Sequence, residues 1–223
     1  MIKKIRENNK TKLILTLGVW LLYIVWLLKF SSVKLDLANV LCYVGFLGLL
    51  LFIYFDDFKS YFKDFKKNLK KNILMVFVYF LIFIAILVVS NILISILLPL
   101  NPDSGNSAIY DLFSNVPLGT IFACFLTIFF YPIVEELVFR KSLRDVIKNP
   151  IVFIILSSLI SWYFQVTLIN PKLSEFILTL QFFFNSIFAA IVFVKKDNLL
   201  YAIFPRILYN FFICLMQIIS LFK

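Results

Sequence analysis

The sequence predicts an all-α, polytopic transmembrane helix bundle of about seven spans with a cytoplasmic N-terminus. Three observations carry that expectation. Of 223 residues, 62% are hydrophobic and only 15% charged, which is too little polar surface for a soluble domain of this length. Apolar runs near twenty residues recur along the chain, each long enough to cross about 30 Å of hydrocarbon as a helix. They lack the alternation of barrel strands, and in lipid only helices and closed barrels satisfy their own backbone. The basic residues form the third observation, because they alternate between sparse and dense loops in a way that fixes orientation.

The expected spans are Leu13–Leu28, Ala38–Phe55, Ile73–Leu98, Pro117–Ile147, Ile151–Ile169, Ser174–Val194 and Leu199–Phe222. Residues 1–223 read as one membrane domain. The basic stretch Met1 to Lys12 precedes an apolar run as in a signal peptide. No small-residue cleavage site follows before Trp20, Tyr23 and Trp26, so the first span is expected to be retained. Between the second and third spans, residues 56–72 (DDFKSYFKDFKKNLKKN) place Phe58, Tyr61, Phe62 and Phe65 at helical spacing, with lysines on the other face. That pattern predicts a cytoplasmic amphipathic helix lying on an anionic membrane surface. Asn101 to Asn115 is a long polar loop without Lys or Arg.

Expected cytoplasmic segments hold 17 of the 22 Lys and Arg residues, expected outer segments four, and the remaining one is Arg206 inside an apolar run. This positive-inside bias alternates at every loop and points to a multi-pass protein of the cell membrane. The formal net charge of +10 therefore reflects topology and contact with lipid headgroups rather than nucleic-acid binding. Cys42, Cys124 and Cys214 lie inside apolar runs without CxxC spacing and read as packing residues. The 28 Phe and 10 Tyr read as lipid-facing packing and interface anchors, not as a cofactor box.

Ionisable and amide groups inside spans are costly and mark candidate sites. Glu136 and Arg140 are spaced i, i+4 in the favourable Glu-first order, so a structural ion pair on one helix face is expected. Glu135 then points about 100° away. Arg206 and Asn210 share a face of the last span. Counted from the basic ends of their helices, Glu135 lies roughly 18 Å deep, Gln165 roughly 21 Å, Arg206 roughly 15 Å and Asn210 roughly 21 Å. Three helices thus bring polar residues to a similar level, provided that Arg140 and Arg144 stand in a water-accessible vestibule. Tyr131-Pro132 and Pro205 are natural kink points. Gln181 with Asn185 reads as interhelical hydrogen-bond glue.

The string YPIVEELVFRKSL resembles the EExxxR motif of the CPBP intramembrane proteases, the group of CAAX prenyl protease 2 and the bacterial Abi proteins. Downstream, SSLISWYFQV resembles that family's second motif, FxxxH, and AAIVFVKKDNLLYAIFPRILYNFF resembles the third, HxxxN. The likeness runs from about Pro117 to the C-terminus, making residues 117–223 a CPBP/Abi-like core. It implies an intramembrane endopeptidase in which the first Glu activates water, a His assists, and a His and an Asn stabilise the oxyanion. Glu135, Glu136, Arg140 and Asn210 match those motifs. Gln165 stands at the first His position, Arg206 at the second, and Ser161 replaces the Phe; the chain contains no histidine.

Histidine is the side chain that exchanges protons near neutral pH, whereas Arg stays protonated and serves as neither acid nor base. An Arg beside Glu135 would keep that carboxylate engaged and weaken it as a base. No cofactor is expected, and without His or clustered Cys a zinc site has too few ligands. Against this, Gln can orient a water beside a carboxylate, and Arg206 with Asn210 can hold an oxyanion. Three functions stay open. The first is a catalytically impaired or inactive protease homologue, a membrane scaffold or regulator binding a membrane or secreted partner protein. The second is an active endopeptidase with a Glu135/Gln165 dyad acting on a membrane-embedded peptide. The third, which the motif register disfavours, is a small transporter. Membrane lipids are the remaining expected partners.

The charge alternation sets a topology test. A reporter fused after Lys66 should read out inside the cell and one fused after Asn106 outside; both on the same side would refute the seven-span reading.

Overall fold

A computed structural model describes residues 8–29, 37–97, 117–169 and 179–221. The expectations for Met1 to Glu7, for the polar loop Asn101 to Asn115 and for residues 174–178 lie outside these described residues. Every described element is helical: α1 (Asn9–Lys29), α2 (Leu37–Ile53), α3 (Phe55–Lys67), α4 (Leu69–Leu97), α5 (residues 117–144), α6 (Pro150–Ile169), α7 (Leu180–Lys196) and α8 (Leu200–Leu221).

Helix ends follow local chemistry. The Asn8 side-chain oxygen accepts from the amides of Lys10 and Thr11 at 3.0 and 3.3 Å, and Asn149 does the same for Ile151 and Val152 at 2.9 and 3.2 Å. Such caps satisfy amides that have no partner within the helix, and Pro150 fits the first position because its missing N–H would be unpaired there anyway. At the end of α7, Asp197 takes the left-handed conformation (φ 48°), a common helix stop. Asn198 then caps α8 at the Leu200 amide (3.0 Å) and donates to the Tyr61 carbonyl (3.0 Å), tying α8 to α3.

By length and composition α1, α4, α5 and α8 qualify as membrane spans among the described residues, and α2 qualifies only together with α3, with a 75° bend between them. Seven spans were expected. Helices stand at all seven places, but α6 is shorter over its fully described part and α7 has only 17 residues. Apolar side chains such as Ile14, Leu74 and Ile96 are exposed on the bundle's outside, the surface that lipid covers.

Two sequence expectations are corrected here. The amphipathic helix ends at Lys67 rather than Asn72, because the chain turns at Asn68 and residues from Leu69 on belong to α4. Its aromatic face also lies on protein: Phe65 is buried with its ring 5.5 Å from that of Tyr201 and 5.4 Å from that of Phe204. Its lysines Lys59, Lys63 and Lys66 face outward, together with Ser60, Asp64 and part of Phe62. The aromatic residues are likewise not chiefly lipid-facing. Trp20, Tyr23, Tyr43, Phe130 and Phe139 are buried in the core where α1, α2 and α5 meet, with Tyr43 edge-on to Phe130 at 4.9 Å and Trp20 to Phe139 at 5.3 Å. Between lipid-like side chains there is little hydrophobic drive to associate, so ring contacts and close packing supply the cohesion.

At the basic end a charge network joins the two halves of the chain. Asp57 of α3 accepts from Lys12 of α1 at 2.6 Å and pairs with Lys141 of α5 at 2.9 Å, while Lys141 also reaches Asp145 at 2.7 Å. Beneath it the buried Tyr54 hydroxyl shares a 2.8 Å hydrogen bond with Thr16. Burial alone would raise the Asp57 carboxyl, but the Lys12 hydrogen bond and the Lys141 charge outweigh it, and the net shift is below the ordinary 3.8. A carboxylate lowered in the folded state stabilises the fold above its ordinary range and loses that contribution as pH falls through the folded value. Asp57→Asn is therefore expected to cost about 1–3 kcal/mol at neutral pH and to flatten the acid limb of thermal stability below pH 4, measured by melting in detergent at stepped pH.

Candidate functional site

α5 holds the candidate acids on an irregular helix. Leu126–Phe130 and Glu136–Lys141 are π-helical, separated by the α-helical turn Tyr131–Glu135. The first widening follows from Pro132. The Tyr131 amide donates to the Leu126 carbonyl, five residues back. In an α register that amide would have served Thr127; in the π register Thr127 would need the amide of residue 132, which proline lacks. The Thr127 carbonyl is thereby left without a backbone donor, and the Asn210 amide of α8 supplies one at 2.6 Å. The second widening shows the same logic. The Ser142 amide donates to Leu137, and the Ser142 hydroxyl takes the Val138 carbonyl that the amide has abandoned.

The widened turns present both acids to α8. Arg206 Nη2 lies 2.6 Å from Glu135 Oε2, and its Nη1 lies 3.0 Å from Glu136 Oε1. One planar guanidinium therefore spans two adjacent carboxylates, a use of its fork that a lysine cannot reproduce. Arg140 completes the group. Its Nε is 3.7 Å from Glu136 Oε2, an ion pair without a hydrogen bond. Its other donors reach Ser161 Oγ on α6 at 3.1 Å and Ser186 on α7, at the hydroxyl (2.5 Å) and at the carbonyl (3.2 Å). Two acids and two arginines balance in charge, which is how buried ions persist at low dielectric.

Several sequence expectations change in detail. Glu136 is shared between Arg140 and Arg206 rather than satisfied by Arg140 alone, because in a π turn residues five apart align and the i, i+4 pair is offset. Arg140 stands in no water-accessible vestibule: only 1% of it is exposed, and Glu136 is fully buried. Glu135 and Arg206 keep 15% and 18% of their side chains exposed. Arg144, half-buried, donates to the carbonyls of Ile147 and Lys148. Pro205 lies within a continuous α8. Gln165 falls on α6, but its side chain lies outside the described residues.

Glu135, Arg140, Arg206 and Asn210 line one cavity of about 250 Å³, together with Gln181 and Asn185 of α7. Sequence reasoning assigned the last two to interhelical glue; they are part of this wall. It overlooked Ser161 and Ser186 as the residues that hold Arg140. The signal for Ser161 was a run of small hydroxyl residues, Ser157, Ser158 and Ser161, all buried on one side of α6, the pattern that lets helices approach closely. Among the described residues no three His, Cys, Asp or Glu side chains converge as metal ligands would.

Residues 117–212 match the family model of type II CAAX prenyl endopeptidases, Rce1-like. This stretch, which contains the whole Glu–Arg cluster, is Rce1-like. Comparison with curated proteins and with solved structures finds no match.

The cluster makes a charge-balance prediction. Arg206→Ala leaves two buried acids against one arginine and should cost about 3–5 kcal/mol. Adding Glu135→Gln restores neutrality and should recover much of that loss in thermal melts. Additive losses would mean that the two residues are not coupled.

Proposed function

We propose that this chain is a catalytically inactive homologue of the CAAX-type intramembrane proteases, serving as a membrane scaffold or regulator that holds a partner polypeptide. One observation carries the reading: the Arg206 guanidinium sits within hydrogen-bond distance of both acids. A water activated by Glu135 would have to replace a charge-assisted contact of 2.6 Å, and the cation that makes it cannot accept or release the proton. The Asn210 amide supports the same conclusion, since one of its two N–H groups is spent on the Thr127 carbonyl rather than held ready for a developing oxyanion. With no histidine in the chain, neither general acid nor general base of the usual kind is at hand.

The cavity of about 250 Å³ falls below the span of roughly 300–1,000 Å³ typical of small-molecule sites. It suits one or two side chains of a bound segment, and its polar wall offers that segment amide and carboxylate partners. This favours a polypeptide partner over a transported solute.

The deciding experiment is cleavage in proteoliposomes, with a prenylated CAAX-type peptide and a membrane-embedded peptide as substrates. The wild-type protein should cleave neither faster than Glu135→Gln does. Wild-type turnover that disappears in Glu135→Gln would instead establish the alternative, an active endopeptidase built on Glu135 and Gln165 with Arg206 and Asn210 at the oxyanion.

A further inference from the structure

A second concavity, of about 520 Å³, lies between α4 and α7 and has no part in the Glu–Arg cluster. Its α4 wall includes Ile82, Ile86, Val89 and Leu93, and its α7 wall includes Phe184 and Phe188. These recur at helical spacing, so each set forms one stripe along its helix. Ser90 also lines the trough, but it is buried and its hydroxyl donates to the Ile86 carbonyl. The trough is apolar along its length.

Its basic end is different. Followed back along α4, the stripe through Ile82 passes Met75 and reaches Lys71; followed forward along α7, the stripe through Phe188 reaches Lys195 one turn beyond Ile191. Lys71 and Lys195 are both exposed. The two helix ends are held together there, because Lys196 Nζ lies 2.9 Å from the Met75 sulfur. That ammonium also stands over the rings of Tyr79 and Tyr201, at 6.0 and 5.6 Å, which fixes its position. Two exposed lysines, Lys71 and Lys195, thus continue the apolar stripes of the two walls at the basic end.

We propose that this trough binds an anionic phospholipid, with an acyl chain along α4 and α7 and the phosphate over Lys71 and Lys195. Charge and shape select this occupant. A second copy related by a two-fold axis along the membrane normal would bring its own Lys71 and Lys195 against these, an unfavourable meeting of like charges. A partner helix packs best on small residues that let backbones approach, whereas large branched and aromatic side chains dominate these walls. A flexible hydrocarbon chain conforms to such a surface, and lysine stems bend toward a headgroup phosphate.

The test is native mass spectrometry of the purified full chain after exchange with equimolar palmitoyl-oleoyl phosphatidylglycerol and phosphatidylcholine. The wild type should retain phosphatidylglycerol preferentially, by roughly 30-fold for two lysines of surface-charge strength. Lys71→Ala with Lys195→Ala should abolish the preference while still taking up both lipids. Ile187→Trp, filling the trough, should reduce retention of both, and Ser90→Phe does the same from the α4 side should the first variant fail to fold. Equal retention of the two lipids by the wild type overturns the proposal. So does a phosphatidylglycerol preference that survives the lysine changes, or a lipid-free dimer that dissociates when the trough is filled.

Discussion

A guanidinium placed between two adjacent carboxylates in a low-dielectric interior restricts everything around it. Arg206 cannot shed its charge, and neither Glu135 nor Glu136 can lose it as a partner without leaving a buried ion uncompensated. α8 must therefore stand where its Nη atoms reach α5 at 2.6 and 3.0 Å. α6 and α7 must stand where Ser161 and Ser186 reach Arg140. Four helices are registered on one neutral cluster. Replacing such a cluster with apolar residues is often no loss in stability; what it fixes is the arrangement, because few alternative packings keep both acids and both arginines paired.

The distortions of α5 belong to the same constraint. An ordinary α-helix would turn Glu135 and Glu136 about 100° apart, too far around the axis for one planar group to serve both easily. Widened turns on either side of Tyr131–Glu135 relax that geometry, and each leaves a carbonyl that must find a donor. Asn210 answers one from α8 and Ser142 answers the other from α5 itself. The asparagine that a family pattern would assign to the reacting oxygen thus has a structural duty, and the irregular helix and the Arg206 clamp support one another.

The N-terminal half, outside the Rce1-like stretch, is bound to it by charge and by rings. Asp57 bridges Lys12 and Lys141, so α1, α3 and α5 share one carboxylate at the basic end. Deeper in, Trp20, Tyr23 and Tyr43 interleave with Phe130 and Phe139. α5 is consequently gripped from the α1–α2 side by aromatics and from the α6–α8 side by ions.

The sequence by itself determined the helical membrane class, the places of the helices and the residues of the polar centre, because apolar length, charge and spacing are local properties. It located Glu135, Glu136, Arg140, Arg206 and Asn210 as misplaced polar groups, and missing histidines can be counted without any coordinates. What it could not fix was the partnering. Whether Arg140 faced water or two serines depended on how closely α6 and α7 approach. That Asn210, on the cavity wall, also donates to the Thr127 carbonyl depended on a register shift begun by Pro132. The aromatic face of α3 was assigned to lipid because an amphipathic pattern states that a face is buried, not what buries it. Those choices are made by contacts between segments far apart in the chain, and only the packed bundle decides them.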